Sequence, residues 1–160
     1  MKKFILTLTT LVIVISSSIA QYNVPQNIVK IQSIQYPNAK GLSWTSRESN
    51  SYDAFFEENG KKCLVRYSGN AEKLSEQKSS DMASLPLAAR QKISSVYPDY
   101  MPQSVMFFYK KNAGEQQEVF LKNTTSHYQV FIGKGDVAYK LYFSEDGVLL
   151  NKPEPIVTKP

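Results

Sequence analysis

The sequence predicts an α+β fold built as a tandem repeat, in which each repeat has one helix followed by about four antiparallel strands. Two apolar-periodic runs, residues 24–37 and 85–98, both open on an apolar residue followed by proline and both end on Tyr-Pro. A strand-rich segment follows each run. The offset between the runs, about 60 residues, is too long for a solenoid unit and suits a duplicated α+β module.

Each run is predicted to form an amphipathic helix of about three turns. Pro25 and Pro86 fit the first turn of a helix, where the missing N–H costs nothing. Pro37 and Pro98 disfavour helix at the residue before them and end the element. Apolar residues recur at helical spacing in both runs, namely Val24, Ile28, Ile31 and Ile34 in the first and Leu85, Ala88, Ala89, Ile93 and Val96 in the second.

The segments after the helices alternate as strands do. Asn59-Gly60 favours the positive φ angles of a tight turn and predicts a β-hairpin between residues 52–57 and 62–67. The remaining strands are predicted at residues 42–45 and 73–77 in the first repeat, and at 105–111, 127–132, 137–143 and 148–151 in the second.

The chain ends predict export. Lys2 and Lys3 precede an apolar stretch over residues 4–15, and small residues lead to Ala20, so residues 1–20 are predicted to be a signal peptide cleaved after Ala20. The apolar stretch is too short to span a bilayer, which needs about 20 residues, and no membrane span is expected in the mature chain. The protein is therefore expected in the periplasm or outside the cell.

The mature chain divides into three predicted parts. Residues 21–79 form the first repeat, residues 80–152 form the second repeat, and residues 153–160 form a disordered tail that contains three prolines. The whole chain has 19 Lys and Arg against 14 Asp and Glu, and removal of Lys2 and Lys3 leaves 17 against 14. This mild basic excess is spread along the chain and does not indicate a nucleic-acid partner.

No set of residues with catalytic spacing is found in the sequence. Cys63 is the only cysteine and His127 the only histidine. Strand alternation places Cys63 on the helix side of the sheet and His127 on the opposite side, so they cannot act as nucleophile and base. We therefore expect no enzyme, no catalytic residues, no cofactor and no metal site. Cys63 is expected to be a small buried side chain, and Trp44 to pack in the core against the first helix.

Strand alternation also predicts which side chains lie on the sheet face opposite the helices. That face carries more large apolar groups than a solvated sheet needs, and cationic side chains accompany them. We predict it to be a partner-binding surface, because aromatic residues and arginine dominate interface energies. Its predicted residues are Phe55, Leu64, Arg66, Phe131, Lys140 and Tyr142.

The order of these motifs resembles the PepSY-like, beta-lactamase-inhibitor-like family of exported bacterial proteins. The matching residues are Leu85-Pro86, Tyr97-Pro98, Tyr128-Gln129-Val130 and 139–150, and more loosely Val24-Pro25, Tyr36-Pro37, Trp44, Tyr52 and Phe56. The resemblance implies strands joined in a curved sheet with the helices on one face. It also implies a binding role toward a secreted or periplasmic enzyme, either a protease or an enzyme of the beta-lactamase kind.

Three functions stay open at this stage. The first is an exported binding module that inhibits or regulates such an enzyme. The second is a binder of small ligands or peptides that uses a groove between the two repeats. The third is a structural envelope protein whose sheet face forms homodimers. The sequence does not separate them.

Overall fold

The structure is a computed structural model that describes residues 23–112, 121 and 124–157. The predicted signal peptide, residues 1–20, lies outside the described residues. Strands account for 49% of the structure and helices for 19%. The helical elements are α1 (Gln26–Gln35), a short 3₁₀ helix (Met82–Ser84) and α2 (Leu87–Val96). The strands are β1 (Lys40–Arg47), β2 (Ser51–Glu58), β3 (Lys61–Ser68), β4 (Lys73–Ser80), β5 (Met101–Lys110), β6 (Ser126–Lys134), β7 (Val137–Phe143) and β8 (Pro155–Val157).

Proline sets the boundaries of both long helices. Pro25 and Pro86 occupy the N-cap positions in extended conformation, and the helices begin at the next residue. Tyr36 and Tyr97 are the C-cap residues, and each backbone N–H donates to the carbonyl four residues earlier. Each tyrosine precedes a proline, which excludes it from helical geometry. The predicted positions of the two helices are confirmed.

The predicted fold class, an α+β tandem repeat, is wrong. The described residues form one eight-stranded antiparallel sheet in which every strand pairs with its neighbour in sequence, from β1 to β8. β4 and β5 pair over a full ladder from Ser75 opposite Lys110 to Ser80 opposite Val105. The sequence pattern suggested a boundary between repeats, but a continuous backbone ladder crosses it and the sheet dominates the architecture.

Both long helices pack on the same face of this sheet. Directly opposed residues in a ladder share a face, and the ladders link Val65, Glu76 and Tyr109 on the side that α1 covers. On β5, alternation brings Val105 to that same side. The core under α1 contains Ile28, Tyr36, Ala54, Phe56, Cys63, Val65 and Tyr67, with Trp44 packed at its margin. The core under α2 contains Leu85, Ala89, Ile93, Val105, Val130, Ile132, Leu141 and Phe143.

A tight turn fixes the register of the β2–β3 hairpin. Asn59 and Gly60 have φ values of 52° and 75°, as the two-residue turn between β2 and β3 requires. As a result, Glu58 lies opposite Lys61 and the pairing continues without a shift along both strands. Cys63 is 4% exposed in the core, as expected of a small buried side chain.

The C-terminal prediction needs correction. The expected disordered tail, residues 153–160, contains β8, which pairs with β7 through Ile156 opposite Ala138. Residues 158–160 lie outside the described residues. The strand predicted at 148–151 is reduced to one isolated bridge between Phe143 and Leu149. The proposed repeat boundaries, 21–79 and 80–152, stay a prediction.

Candidate functional site

The six predicted binding residues all lie on the sheet face opposite the helices, which we call the distal face. Phe55 pairs with Leu64, and Phe131 pairs with Lys140, so each pair shares this face. Arg66 lies two residues beyond Leu64, and Tyr142 two beyond Lys140, so alternation brings both to the same side. The predicted placement of these side chains on the sheet is confirmed, and their role in binding stays a prediction.

A groove of about 420 Å³ brings four of the six together. It crosses the middle of the distal face from β2 to β7. Its lining includes Leu64, Arg66, Lys140 and Tyr142 from the predicted set. Phe55 and Phe131 are not part of the lining. Phe55 is 38% exposed, a large fraction for a side chain in the interior of a strand.

Tyr142 differs from its expected role as an exposed anchor. Its side chain is 5% exposed and its ring packs 5.7 Å from the imidazole of His127. The ammonium group of Lys140 lies 5.1 Å from the Tyr142 ring centroid and 5.7 Å from that of Phe131. Lys140 is therefore held over two aromatic rings by cation–π contacts, with its charge available at the wall of the groove.

His127 forms part of the floor of the groove. It is 3% exposed and stacks on Phe108, with ring centroids 5.2 Å apart and planes at 6°. Its Nδ1 has no hydrogen-bond partner among the described residues. Burial, with a smaller effect from the charge of Lys140, lowers the pKa of His127 to about 4. The imidazole is therefore neutral at pH 7 and acts as an aromatic surface.

Asp53 holds two arginines at the edge of the groove. Its carboxylate is completely buried and accepts hydrogen bonds from Arg66 Nε at 2.7 Å, Arg66 Nη2 at 3.0 Å and Arg47 Nε at 2.8 Å. Burial alone would raise the pKa of Asp53, but the hydrogen bonds from Arg66 and Arg47 outweigh it and hold the pKa below its ordinary value. Asp53 is therefore ionised at pH 7 and fixes both guanidinium groups.

A second and larger cleft, of about 850 Å³, opens beside this trio. Arg66, Ser75 and Lys110 line both the groove and the cleft, so the two are continuous. Ser75 lies directly opposite Arg66 on β3 and directly opposite Lys110 on β5. The small serine between two long cationic side chains leaves the space. The other residues that line the cleft are Ser46, Arg47, Glu48, Ser49, Ser51, Leu74, Lys111 and Asn112.

The trio of Arg47, Asp53 and Arg66 was not predicted as a unit, although a signal for most of it exists. A two-residue turn at Asn59-Gly60 fixes the hairpin register and places Asp53 directly opposite Arg66. Arg47 then follows from β1, where Thr45 lies opposite Asp53 and Arg47 occupies the diagonal position. The burial of His127 under Tyr142 left no comparable signal in the sequence.

In residues 23–112, 121 and 124–157, no group of three or more His, Cys, Asp or Glu side chains is placed to hold a metal ion. Within the same ranges, neither α1 nor α2 has the length and apolar character needed to cross a bilayer.

Comparison with known proteins gives matches at the level of structure. No family model matches the chain, and no curated protein matches it. A BLIP-like protein from Bacteroides fragilis superposes with a TM-score of 0.61 at 22% identity, over 85% of this chain and 89% of that one. A DUF2874 family protein from Bacteroides uniformis gives a TM-score of 0.59 at 23% identity, over 82% and 88%.

These matches establish the fold alone, because the identities are low. The chain has the fold of the BLIP-like and DUF2874 proteins, which agrees with the inhibitor-like part of the sequence resemblance. A third neighbour, from Bacteroides eggerthii, has a TM-score of 0.60 at 21% identity over 84% and 90% of the two chains, and is described as periplasmic. The PepSY-like part of the resemblance stays a prediction.

Proposed function

We propose that this chain is an exported, non-enzymatic binding module of the periplasm or the extracellular space, and that its distal face receives a protein partner. One observation carries the proposal: the centre of an otherwise ordinary antiparallel sheet face is a groove with an aromatic floor and cationic walls. A sheet face that contacts only solvent does not normally carry a groove lined by aromatic side chains. Aromatic and arginine side chains are the groups that contribute most to protein interfaces.

The partner in this proposal is a secreted or periplasmic enzyme, whose activity the module inhibits or regulates. Two findings support it. The fold is shared with a protein described as BLIP-like and with one described as periplasmic. In addition, the exposed Phe55 and the aromatic contacts of Lys140 provide an apolar and a charged element on one face. Cleavage after Ala20 would release the module from its predicted signal peptide.

The test is capture of a partner from the exported fraction of the producing cells by immobilised mature chain. The disruptive variant is Leu64→Ala combined with Lys140→Ala, because both side chains line the groove and neither is fully buried. The matched control is Ile34→Ala, which removes an apolar side chain that is 64% exposed on α1, on the other side of the sheet. Mass spectrometry identifies what each protein retains.

The proposal predicts that wild type and Ile34→Ala retain the same exported enzyme and that the double variant loses it. A change in that enzyme's activity on addition of the module would establish inhibition or regulation. Equal retention by all three proteins would place the contact elsewhere and reject the distal face. If no protein is retained and the mass in solution rises with concentration, the homodimer of the structural alternative replaces the proposal.

A further inference from the structure

We propose that the cleft beside β1 and β3 is a binding site for a carboxylate group, which is held between the guanidinium groups of Arg47 and Arg66. This inference is separate from the choice of protein partner. The carboxylate can belong to a free organic acid or to an acidic side chain of a bound peptide, since the chemistry at the two arginines is the same. The site consists only of described residues.

The two guanidinium groups keep N–H donors that Asp53 does not use. Asp53 accepts from Nε of both arginines and from Nη2 of Arg66. Both Nη groups of Arg47 and the Nη1 group of Arg66 donate to no other residue in the described part of the chain. The arginine side chains are 50% and 43% exposed, so these donors can reach a ligand. Guanidinium donors in this geometry match the two oxygens of a carboxylate.

The two arginine side chains are held in place before a ligand binds. An arginine on a surface normally loses side-chain freedom when it binds an anion, and that loss weakens binding. Here the completely buried carboxylate of Asp53 has already fixed both side chains. Asp53 stays charged at neutral pH, because the same two arginines hold its pKa below the ordinary value. The donors are therefore in place before a ligand arrives.

The charge balance of the arginine pair selects the class of anion. The guanidinium groups of Arg47 and Arg66 carry two positive charges, and the carboxylate of Asp53 that binds both compensates one of them. The pair therefore keeps an excess of one positive charge. A singly charged carboxylate matches this excess better than a phosphate dianion does.

The size and lining of the cleft indicate the chemical character of the rest of the ligand. A volume of about 850 Å³ exceeds what one carboxylate group fills. The remaining wall carries hydroxyl groups, from Ser46, Ser49, Ser51 and Ser75, and one apolar side chain, Leu74. Such a wall suits a polar body such as a peptide backbone or a hydroxylated acid, with hydrogen bonds from the serines. The carboxylate is thus the charged end of a larger polar molecule.

The test is an NMR titration that follows the Nε–H signals of Arg47 and Arg66 in the mature chain. The probes are butyrate, the peptide acetyl-Ala-Glu-Ala-amide, its glutamine counterpart and inorganic phosphate. Either carboxylate probe is expected to shift both signals saturably. If butyrate binds as tightly as the glutamate peptide, the ligand is a free acid; if only the peptide binds, it is a protein side chain. Both outcomes support the site.

Variants separate the site from a general effect of charge. Arg47→Gln leaves all bonds between Asp53 and Arg66 in place and is expected to weaken carboxylate binding about tenfold. Arg90→Gln removes the same charge from α2 and is expected to change nothing. If Arg47→Gln melts at a lower temperature than wild type, Arg47→Lys is the second variant. It keeps the positive charge but lacks the planar set of N–H donors of arginine, so it should still weaken carboxylate binding.

Three results would overturn the inference. The first is the absence of saturable shifts with either carboxylate up to about 10 mM, which is beyond any specific affinity. The second is equal binding of the glutamate and glutamine peptides. The third is phosphate binding about tenfold tighter than butyrate, which would contradict the charge argument. None of these results depends on whether the distal face captures a protein, so this inference and the proposed function can fail separately.

Discussion

Replacement of Asp53 by asparagine tests the contribution of the buried ion cluster to folding. The carboxylate is completely buried and accepts three hydrogen bonds from two arginines. Asparagine keeps the shape of the side chain but has only one acceptor oxygen and no charge. It also brings an NH₂ group against the N–H donors of an arginine, which is a repulsive contact between donors.

The magnitude follows from the bonds that are lost. The remaining oxygen can keep the bonds of Oδ1 or those of Oδ2, so one or two of the three are broken. A hydrogen bond to a charged group contributes about 1.5–3 kcal/mol. Both arginines are about half exposed and regain water, which reduces the net loss to about 2 kcal/mol. For a domain of this size, that loss lowers the Tm by roughly 6 °C.

The assay is thermal unfolding of wild type and Asp53→Asn at pH 7 and at a series of lower pH values. The pKa of Asp53 lies below its ordinary value in the folded state, so its stabilising effect is complete above about pH 4 and is lost as the pH falls through the folded-state pKa. The gap between the two proteins should therefore narrow in acid. Equal Tm values at pH 7, or a gap that stays constant in acid, would refute this account.

The other predictions concern the floor of the groove and one turn. Because burial lowers the pKa of His127 to about 4, stability should fall by up to roughly 3 kcal/mol between pH 6.5 and 4; an imidazole titration by NMR that gives a value near 6.5 contradicts this. Tyr142→Ala should cost about 3–4 kcal/mol in a denaturant titration, as for other buried aromatic residues, and a loss below about 1 kcal/mol contradicts its burial. Gly147→Ala should lower the Tm by more than Gly135→Ala does. Both glycines have positive φ, but only at Gly147 would a Cβ meet backbone, at 2.8 Å; equal losses would show that this contact relaxes.

Local features of the fold were predictable because short-range sterics determine them. Proline before the helix and Tyr-Pro at its end fix both helix boundaries to within a residue. Asn59-Gly60 fixes the β2–β3 register, and strand alternation then assigns each side chain to a face. These inferences need only neighbours in sequence.

The long-range features could not be read from the same signals. The similar spacing of the two helices did not show how the two sets of strands join; a joined sheet was implied only by the family resemblance, and the ladder between β4 and β5 joins them. That ladder depends on backbone hydrogen bonds, which any residue except proline can make. β8 was missed for a different reason: Pro155 and its neighbours resemble a flexible end, yet Pro155–Val157 pair with β7, and proline is tolerated in an edge strand.

The continuous sheet also explains why the candidate site lies at its centre. β4 is polar apart from Leu74, with Ser75 and Gln77 toward the distal face and Glu76 and Lys78 toward the helices. It supplies no buried apolar side chain to either core. Its short distal side chains leave a trough between the longer residues of β3 and β5, where the arginines held by Asp53 meet the aromatic floor around His127. A strand that contributes nothing to either core is thus what joins the cleft to the groove.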